Sequence, residues 1–200
     1  MLITAIEPRR KGMSALFIDG EFVMNLDTQA LLENRFDVGR ELDDDELKEM
    51  IELSNERRAK EKALWLISYR DHSKKELKEK IQRTCDSDAA EKAVERMEEL
   101  GLVNDEVFAQ RYARKLLLQK KMTRRAAAFE LSRKGIDKET AEAVLEEIEV
   151  DYRENIREII EKKYRNIGDE KIKRRAVAAL QRLGYGWDDI RAVLDEYEEE

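Results

Sequence analysis

Apolar and polar positions follow two different rhythms along this chain, and the change of rhythm divides it. Residues 2–26 hold three short runs of β type, Leu2-Ile3-Thr4-Ala5-Ile6, Ala15-Leu16-Phe17-Ile18 and Phe22-Val23-Met24. Asp19-Gly20 separates the last two and supplies the positive φ angles that a tight hairpin turn requires. The pattern predicts a two- or three-stranded meander with Pro8 at its first turn. So small a sheet is marginal alone, so it is expected to lean on a helix over Thr28 to Phe36, with a break at Gly39.

From Asp43 the spacing of apolar residues becomes helical and stays so. Asp43-x-x-Glu46 has the form of a capping box ahead of Leu47, Met50, Ile51 and Leu53, and the helix is expected to run to Trp65–Ile67. A repeat then follows. Ser73-Lys-Lys-Glu-Leu-Lys-Glu-Lys-Ile81, Thr123-Arg-Arg-Ala-Ala-Ala-Phe-Glu-Leu131 and Ile172-Lys-Arg-Arg-Ala-Val-Ala-Ala-Leu180 align at offsets of 50 and 49 residues, long enough for one three-helix unit. In the same register Gly135 falls over Gly184, each at a helix end where a left-handed residue is wanted, and Val144-Leu145 falls over Val193-Leu194.

Each unit therefore reads as helix, turn, helix, turn, helix. First helices carry Leu64 and Ile67, then Phe108, Tyr112 and Leu116, then Ile156, Ile160 and Tyr164. Third helices carry Val94, Met97 and Leu100, then Val144, Leu145 and Ile148, then Ile190, Val193, Leu194 and Tyr197. Spacings of three and four give each helix one apolar stripe. The predicted fold is mainly α, with three tandem three-helix modules stacked into an elongated curved rod behind a small β meander. The divisions are 1–40 for the meander and its short helix, then 41–102, 103–150 and 151–200 for the modules. Stacking is expected because a unit of about 50 residues buries too little surface to be stable alone.

Composition agrees with helix throughout: 42% hydrophobic, 42% charged, one Pro and eight Gly. The lone Cys85 has no partner for an internal disulfide, no apolar run approaches the roughly 20 residues of a membrane helix, and Met1-Leu-Ile-Thr-Ala-Ile is unlike a signal peptide. The expectation is a cytoplasmic monomer with no membrane partner.

With one His and one Cys, the chain lacks the side-chain sets of hydrolytic, redox and metal chemistry, so no enzyme activity, cofactor or metal is expected. His72 precedes Ser73-x-x-Glu76, a second capping box, and reads as a shaper of a helix–helix turn rather than a catalytic or pH-sensing group. Cys85 reads as a small residue near a turn. Leu183-Gly-Tyr-Gly-Trp187 lacks the strand and Lys of a phosphate loop, so it reads as a turn with Tyr185 and Trp187 as core or staple residues.

A net charge of −7 opposes indiscriminate binding to nucleic acid, so local charge decides. The repeat puts Lys74-Lys75, Arg124-Arg125 and Lys173-Arg174 at the start of equivalent middle helices, one basic edge in three copies. In the first two modules, with Ser73 and Thr123 as N-caps, the helix dipole disfavours such charge by roughly 0.3–1 kcal/mol each, so helix stability does not explain them. In the third copy the helix is expected to begin near Asp169, which weakens the argument there. Module two adds Arg111, Arg114, Lys115, Lys120 and Lys121, so that Gln110 to Arg125 contains seven basic residues and no acidic one. The bland alternative is a solvated face, with Arg111 and Arg114 packing their stems on the core. The acidic stretches Glu41–Glu49 and Asp195–Glu200 read as a solvated helix start and a solubilising tail.

In order and spacing of parts the chain resembles the RecX family of bacterial recombination regulators. The resemblance is carried by Ile3-Thr-Ala-Ile-Glu-Pro8 with Ile18-Asp-Gly-Glu-Phe22, and by Ala63-Leu64 followed by Tyr69-Arg-Asp-His-Ser73 and Glu76-Leu77. It continues through Leu100-Gly-Leu-Val-Asn-Asp105 with Phe108-Ala and Arg111-Tyr-Ala113, and Leu131-Ser-Arg-Lys-Gly-Ile136. The third module matches least well. The resemblance implies three tandem three-helix repeats that bind the RecA recombinase filament in its helical groove and inhibit strand exchange and ATP hydrolysis, with a place in recombination, DNA repair and the SOS response. On that footing the basic residues above would contact RecA or the DNA inside the filament, while bare DNA would be bound weakly or not at all. The alternatives are a helical regulator acting on duplex DNA directly and a helical-repeat scaffold for another protein.

Overall fold

The computed structural model describes residues 1–197, which form two compact units, Met1–Asn104 and one beginning at Asp105. The first opens with the meander. Strands β1 (Ile3–Pro8), β2 (Met13–Ile18) and β3 (Glu21–Asp27) pair antiparallel in the order β1-β2-β3. Asp19 and Gly20 turn the second hairpin with φ of 52° and 90°, the left-handed pair a two-residue type I′ turn needs. Pro8 is the last residue of β1, paired with Ser14, and the first turn falls beyond it with Lys11 and Gly12 at positive φ. Proline occurs at strand ends because it contributes no N–H to the ladder.

One sheet face carries Ile3, Leu16, Ile18 and Leu26, sealed by Leu31 of α1 (Thr28–Glu33) and by Phe36, Leu42 and Met50. Helix α2 (Asp44–Tyr69) starts at the capping box read from the sequence, with both reciprocal bonds formed between Asp43 and Glu46. Its 26 residues span about 39 Å at 1.5 Å each, so its two halves serve different cores. The first half supplies Leu47, Met50, Ile51 and Leu53 to the sheet. The second half buries Ala59, Ala63 and Leu66 against α3 (Lys74–Ile81) and α4 (Ser87–Glu99), where Leu77, Ile81, Ala90, Ala93 and Met97 meet them. At the changeover Asp27, Ser54 and Arg57 tie α2 to the sheet. The Asp27 amide donates to Ser54 Oγ at 2.8 Å, and Arg57 Nε stands 3.1 Å from the Asp27 carboxylate.

Two expected core positions fall outside. Leu64 is 42% exposed and Leu100, the C-cap of α4, is 47% exposed. The α2–α4 contact is made by alanines, which let the two backbones approach closely, so a stripe chosen by side-chain size pointed to the wrong edge of α2.

The second unit holds two three-helix bundles. α5 (Asp105–Arg114) runs into a π-helical turn (Lys115–Gln119) and packs with α6 (Arg124–Arg133) and α7 (Lys138–Glu146) around Phe108, Leu116, Leu131, Val144 and Leu145. α8 (Tyr152–Lys163), α9 (Glu170–Arg182) and α10 (Trp187–Glu196) enclose Ile156, Ile160, Leu180, Tyr185, Ile190 and Val193. Of the acidic terminal stretch, Glu198, Glu199 and Glu200 lie outside the described residues. The fold is thus mainly helical behind a three-stranded antiparallel sheet, and no described helix is long and apolar enough to cross a membrane.

Candidate functional site

The basic run of the second module lies where α5 ends and α6 begins. Arg111, Arg114 and Lys115 lie on the solvent side of the last turns of α5 and its π turn, on a helix whose other positions, Ala113, Leu116 and Leu117, are buried. The chain then crosses to α6 through Lys120 and Lys121, the latter at a φ of 55°. A π turn adds a residue to the helical ladder and often marks a functional segment. Here it leaves Leu118 48% exposed beside the cations. Among the described residues, the side chains of Arg114, Lys115, Lys120 and Arg125 make no hydrogen bond or ion pair, and all four are exposed. Arg111 is exposed and has a partner.

Arg124 does something different. Its Nε donates to the Leu145 carbonyl at 3.1 Å and its Nη2 to the Ile148 carbonyl at 2.8 Å, closing the C-terminal end of α7. Its backbone N–H donates to the Tyr152 hydroxyl at 3.0 Å. The dipole cost of a cation in the first turn of α6 is thus offset by bonds to the negative end of α7. Lys74 repeats the arrangement in the first module: it is the first residue of α3, and its ammonium pairs at 2.8 Å with Glu98 in the last turn of α4. In both copies the first cation of the middle helix staples the third helix, while the second, Lys75 or Arg125, stays exposed. For Arg124 and Lys74, internal bonding therefore accounts for a cation at a helix start, where the dipole disfavours it.

The third copy departs from the register. α9 begins at Glu170 with Asp169 as N-cap, so Lys173 and Arg174 sit in its second turn rather than at its start. Lys173 is half-buried and partnered, and Arg174 is exposed with Glu170 at 3.8 Å.

A polar joint binds the two modules of this unit behind the basic loop. The Thr123 amide donates to the Leu183 carbonyl at 2.9 Å, and the Tyr185 hydroxyl donates to the Lys121 carbonyl at 2.6 Å. Burial pushes the pKa of that hydroxyl up to about 12, against the smaller opposing effect of Asn155. Gly184, at φ 97°, lies so close that a Cβ there would stand 2.3 Å from Thr123 Oγ1. Tyr185 is accordingly core, whereas Trp187 is 52% exposed, a departure from the expected staple. The joint fixes Lys121 beside α8, where it pairs with Glu158 at 3.2 Å, next to Lys162 and Lys163. Those two lysines were not singled out in the sequence, because only the tertiary contact brings them to the basic loop.

His72 is buried, as a turn-shaping residue should be. Its Nδ1 lies 2.8 Å from the Arg70 carbonyl and its Nε2 lies 3.0 Å from Lys80 Nζ. Lysine has only donors, so Nε2 accepts and the proton resides on Nδ1. Burial, with Arg70 and Lys80 nearby, lowers its pKa. The Ser73 hydroxyl caps α3 by accepting from the Glu76 amide, and Glu76 takes two bonds from Arg70. Cys85 is half-buried beside the first helical core. Among the described residues no group of three or more His, Cys, Asp or Glu side chains is placed to hold a metal ion.

Known proteins resemble the chain along most of its length. Residues 59–97, 104–145 and 150–194 match the models of the first, second and third three-helix domains of RecX. A regulatory protein RecX of Caldanaerobacter subterraneus subsp. tengcongensis is 32% identical over 82% of this chain and 84% of its own. One of Clostridioides difficile is 27% identical over 97% and 94%. In fold, the crystal structure of a regulatory protein RecX superposes with a TM-score of 0.60 at 19% identity, over 97% of this chain and 98% of the other. That of RecX from Lactobacillus salivarius gives 0.55 at 23% identity, over 73% and 98%. The chain belongs to the RecX family of regulatory proteins.

Proposed function

We propose that this chain is a non-enzymatic modulator of the RecA recombinase that binds the groove of the RecA–DNA filament through its basic face and limits strand exchange and ATP hydrolysis. The observation that carries the reading is the exposed set Arg114, Lys115, Lys120 and Arg125 at one end of the second module, without internal partners among the described residues. Cations held in this way on a chain of net charge −7 cost the fold repulsion within the cluster and are available to a polyanion. Lys75 in the first unit and Arg174 in the third module, both exposed, are further candidate contacts, each on its own unit, while Arg124 holds the basic surface of the second module in shape.

The acidic remainder discourages binding to bare duplex, so the preferred target combines DNA phosphates with a protein lattice. Co-sedimentation tests this directly. The chain should pellet with RecA assembled on single-stranded DNA, and far less with either component alone. Equal recovery on naked duplex DNA would refute it in favour of a direct DNA-binding regulator.

A further inference from the structure

The second unit contains a cleft of about 390 Å³ between the loop that follows the π turn and the last turn of α8. Lys120 and Lys121 stand on one wall and Lys162 and Lys163 on the other, with Ile159 and Leu183 contributing apolar surface. One carboxylate, Glu158, lines it, and it is already shared: Lys121 approaches at 3.2 Å and Lys162 at 2.8 Å. Four lysines against one carboxylate line the concavity, an excess of three positive charges around it.

Stability of the fold does not account for the convergence. Cations in the last turn of α8 are favourable neighbours of their own helix end, but each helix end gains that benefit wherever its lysines point. Directing two pairs from different modules into one cleft adds mutual repulsion, which Glu158 relieves only in part. A cleft with partly apolar walls focuses the resulting field on whatever enters it. The cations are all lysines, compact and strongly hydrated point charges that can bind a phosphate without the fixed geometry of an arginine fork.

We propose that the Lys120–Lys121–Lys162–Lys163 cleft binds a backbone phosphate of a nucleic-acid strand, extending the basic face of the second module onto the third. It rests on the proposed function in one respect, that the adjoining face follows a nucleic-acid polyanion. Glu158 then sets the affinity by holding two of the four lysines in the empty cleft and yielding them to the entering phosphate.

The test is fluorescence anisotropy of a labelled single-stranded oligothymidylate titrated with the full chain across a low-salt series, with inorganic tripolyphosphate as competitor. The wild type should bind at low salt, and Lys162→Gln with Lys163→Gln should weaken binding at least tenfold. The slope of log K against log salt should fall by about 1.4, for two contacts at about 0.7 each on a single strand. Glu158→Gln, which frees two lysines, should tighten binding, a direction that misfolding cannot mimic. No wild-type binding at low salt would overturn the proposal, as would an unchanged double variant. Occupancy by tripolyphosphate that the oligonucleotide does not displace would reassign the cleft to free polyphosphates. If the double variant binds like the wild type while charge reversal at Lys115, Lys120 and Arg125 abolishes the effect on the filament, the cleft fails and the proposed function stands.

Discussion

Substituting Gly184 by Ala probes the joint that holds the basic loop in place. At φ 97° a residue with a Cβ is strained by about 1–3 kcal/mol. The added atom would also stand 2.3 Å from Thr123 Oγ1 and 2.9 Å from the Ala126 Cβ, where nothing flexible can yield far. Thr123 is the N-cap of α6, its hydroxyl accepting from the Ala126 amide, so moving it weakens a cap worth about 1 kcal/mol. Crowding of this kind costs another 1–3 kcal/mol or so, giving roughly 3–7 kcal/mol in all. Gly101→Ala is the control: its φ is 69° but nothing lies within 4 Å of the added atom, so only the backbone cost remains. Urea unfolding followed by circular dichroism measures both. The double variant Thr123→Ala with Gly184→Ala should lose less than the sum of the single changes, by about 1 kcal/mol, because the worst contact is gone. Strict additivity, or a Gly184→Ala loss no greater than that of Gly101→Ala, would refute the close approach.

Neighbouring arginines should part company in stability. Arg124→Ala should cost about 2–3 kcal/mol by uncapping α7, whereas Arg125→Ala should stay within about 0.5 kcal/mol, both read from thermal melts. His72 is the sole imidazole, so its C2 proton gives one isolated NMR signal that should titrate with a midpoint below 6.5. A folded pKa below the unfolded one means that the unfolded chain takes the proton first. Its contribution to stability is therefore complete above about pH 6.5 and is lost as pH falls through the folded value. His72→Asn should flatten that part of the pH dependence, and a midpoint at or above 6.5 would contradict the burial of an accepting Nε2.

Much of this architecture is legible before any coordinates. Asp19-Gly20 announces its turn, Asp43 and Glu46 their capping box, and Gly135 and Gly184 the ends of their helices, because each signal is local and has one stereochemical meaning. Register by size is less secure: Ala59 and Ala63 carry the α2 contact while Leu64 faces solvent, since close helix packing rewards small residues. The basic run Arg111–Arg125 is visible as composition, yet its division of labour is not. Arg124 and Arg125 differ only in direction by one helical step, and the first finds carbonyls 21 and 24 residues on, at the end of α7 and just beyond it. Nor does any pattern link Lys121 to Lys162, whose meeting depends on the Thr123–Leu183 and Tyr185–Lys121 bonds.

That division of labour also selects the decisive variant. Charge reversal at Arg124 would unfold the surface it is meant to test, so the change belongs at Lys115, Lys120 and Arg125, which the fold does not use. ATP hydrolysis by RecA on single-stranded DNA, followed during titration with this triple Glu variant and with the wild type, measures the claim directly. The wild type should suppress hydrolysis and the triple variant, with unchanged helical content, should not. Equal suppression by both would remove the basic face of the second module from the mechanism.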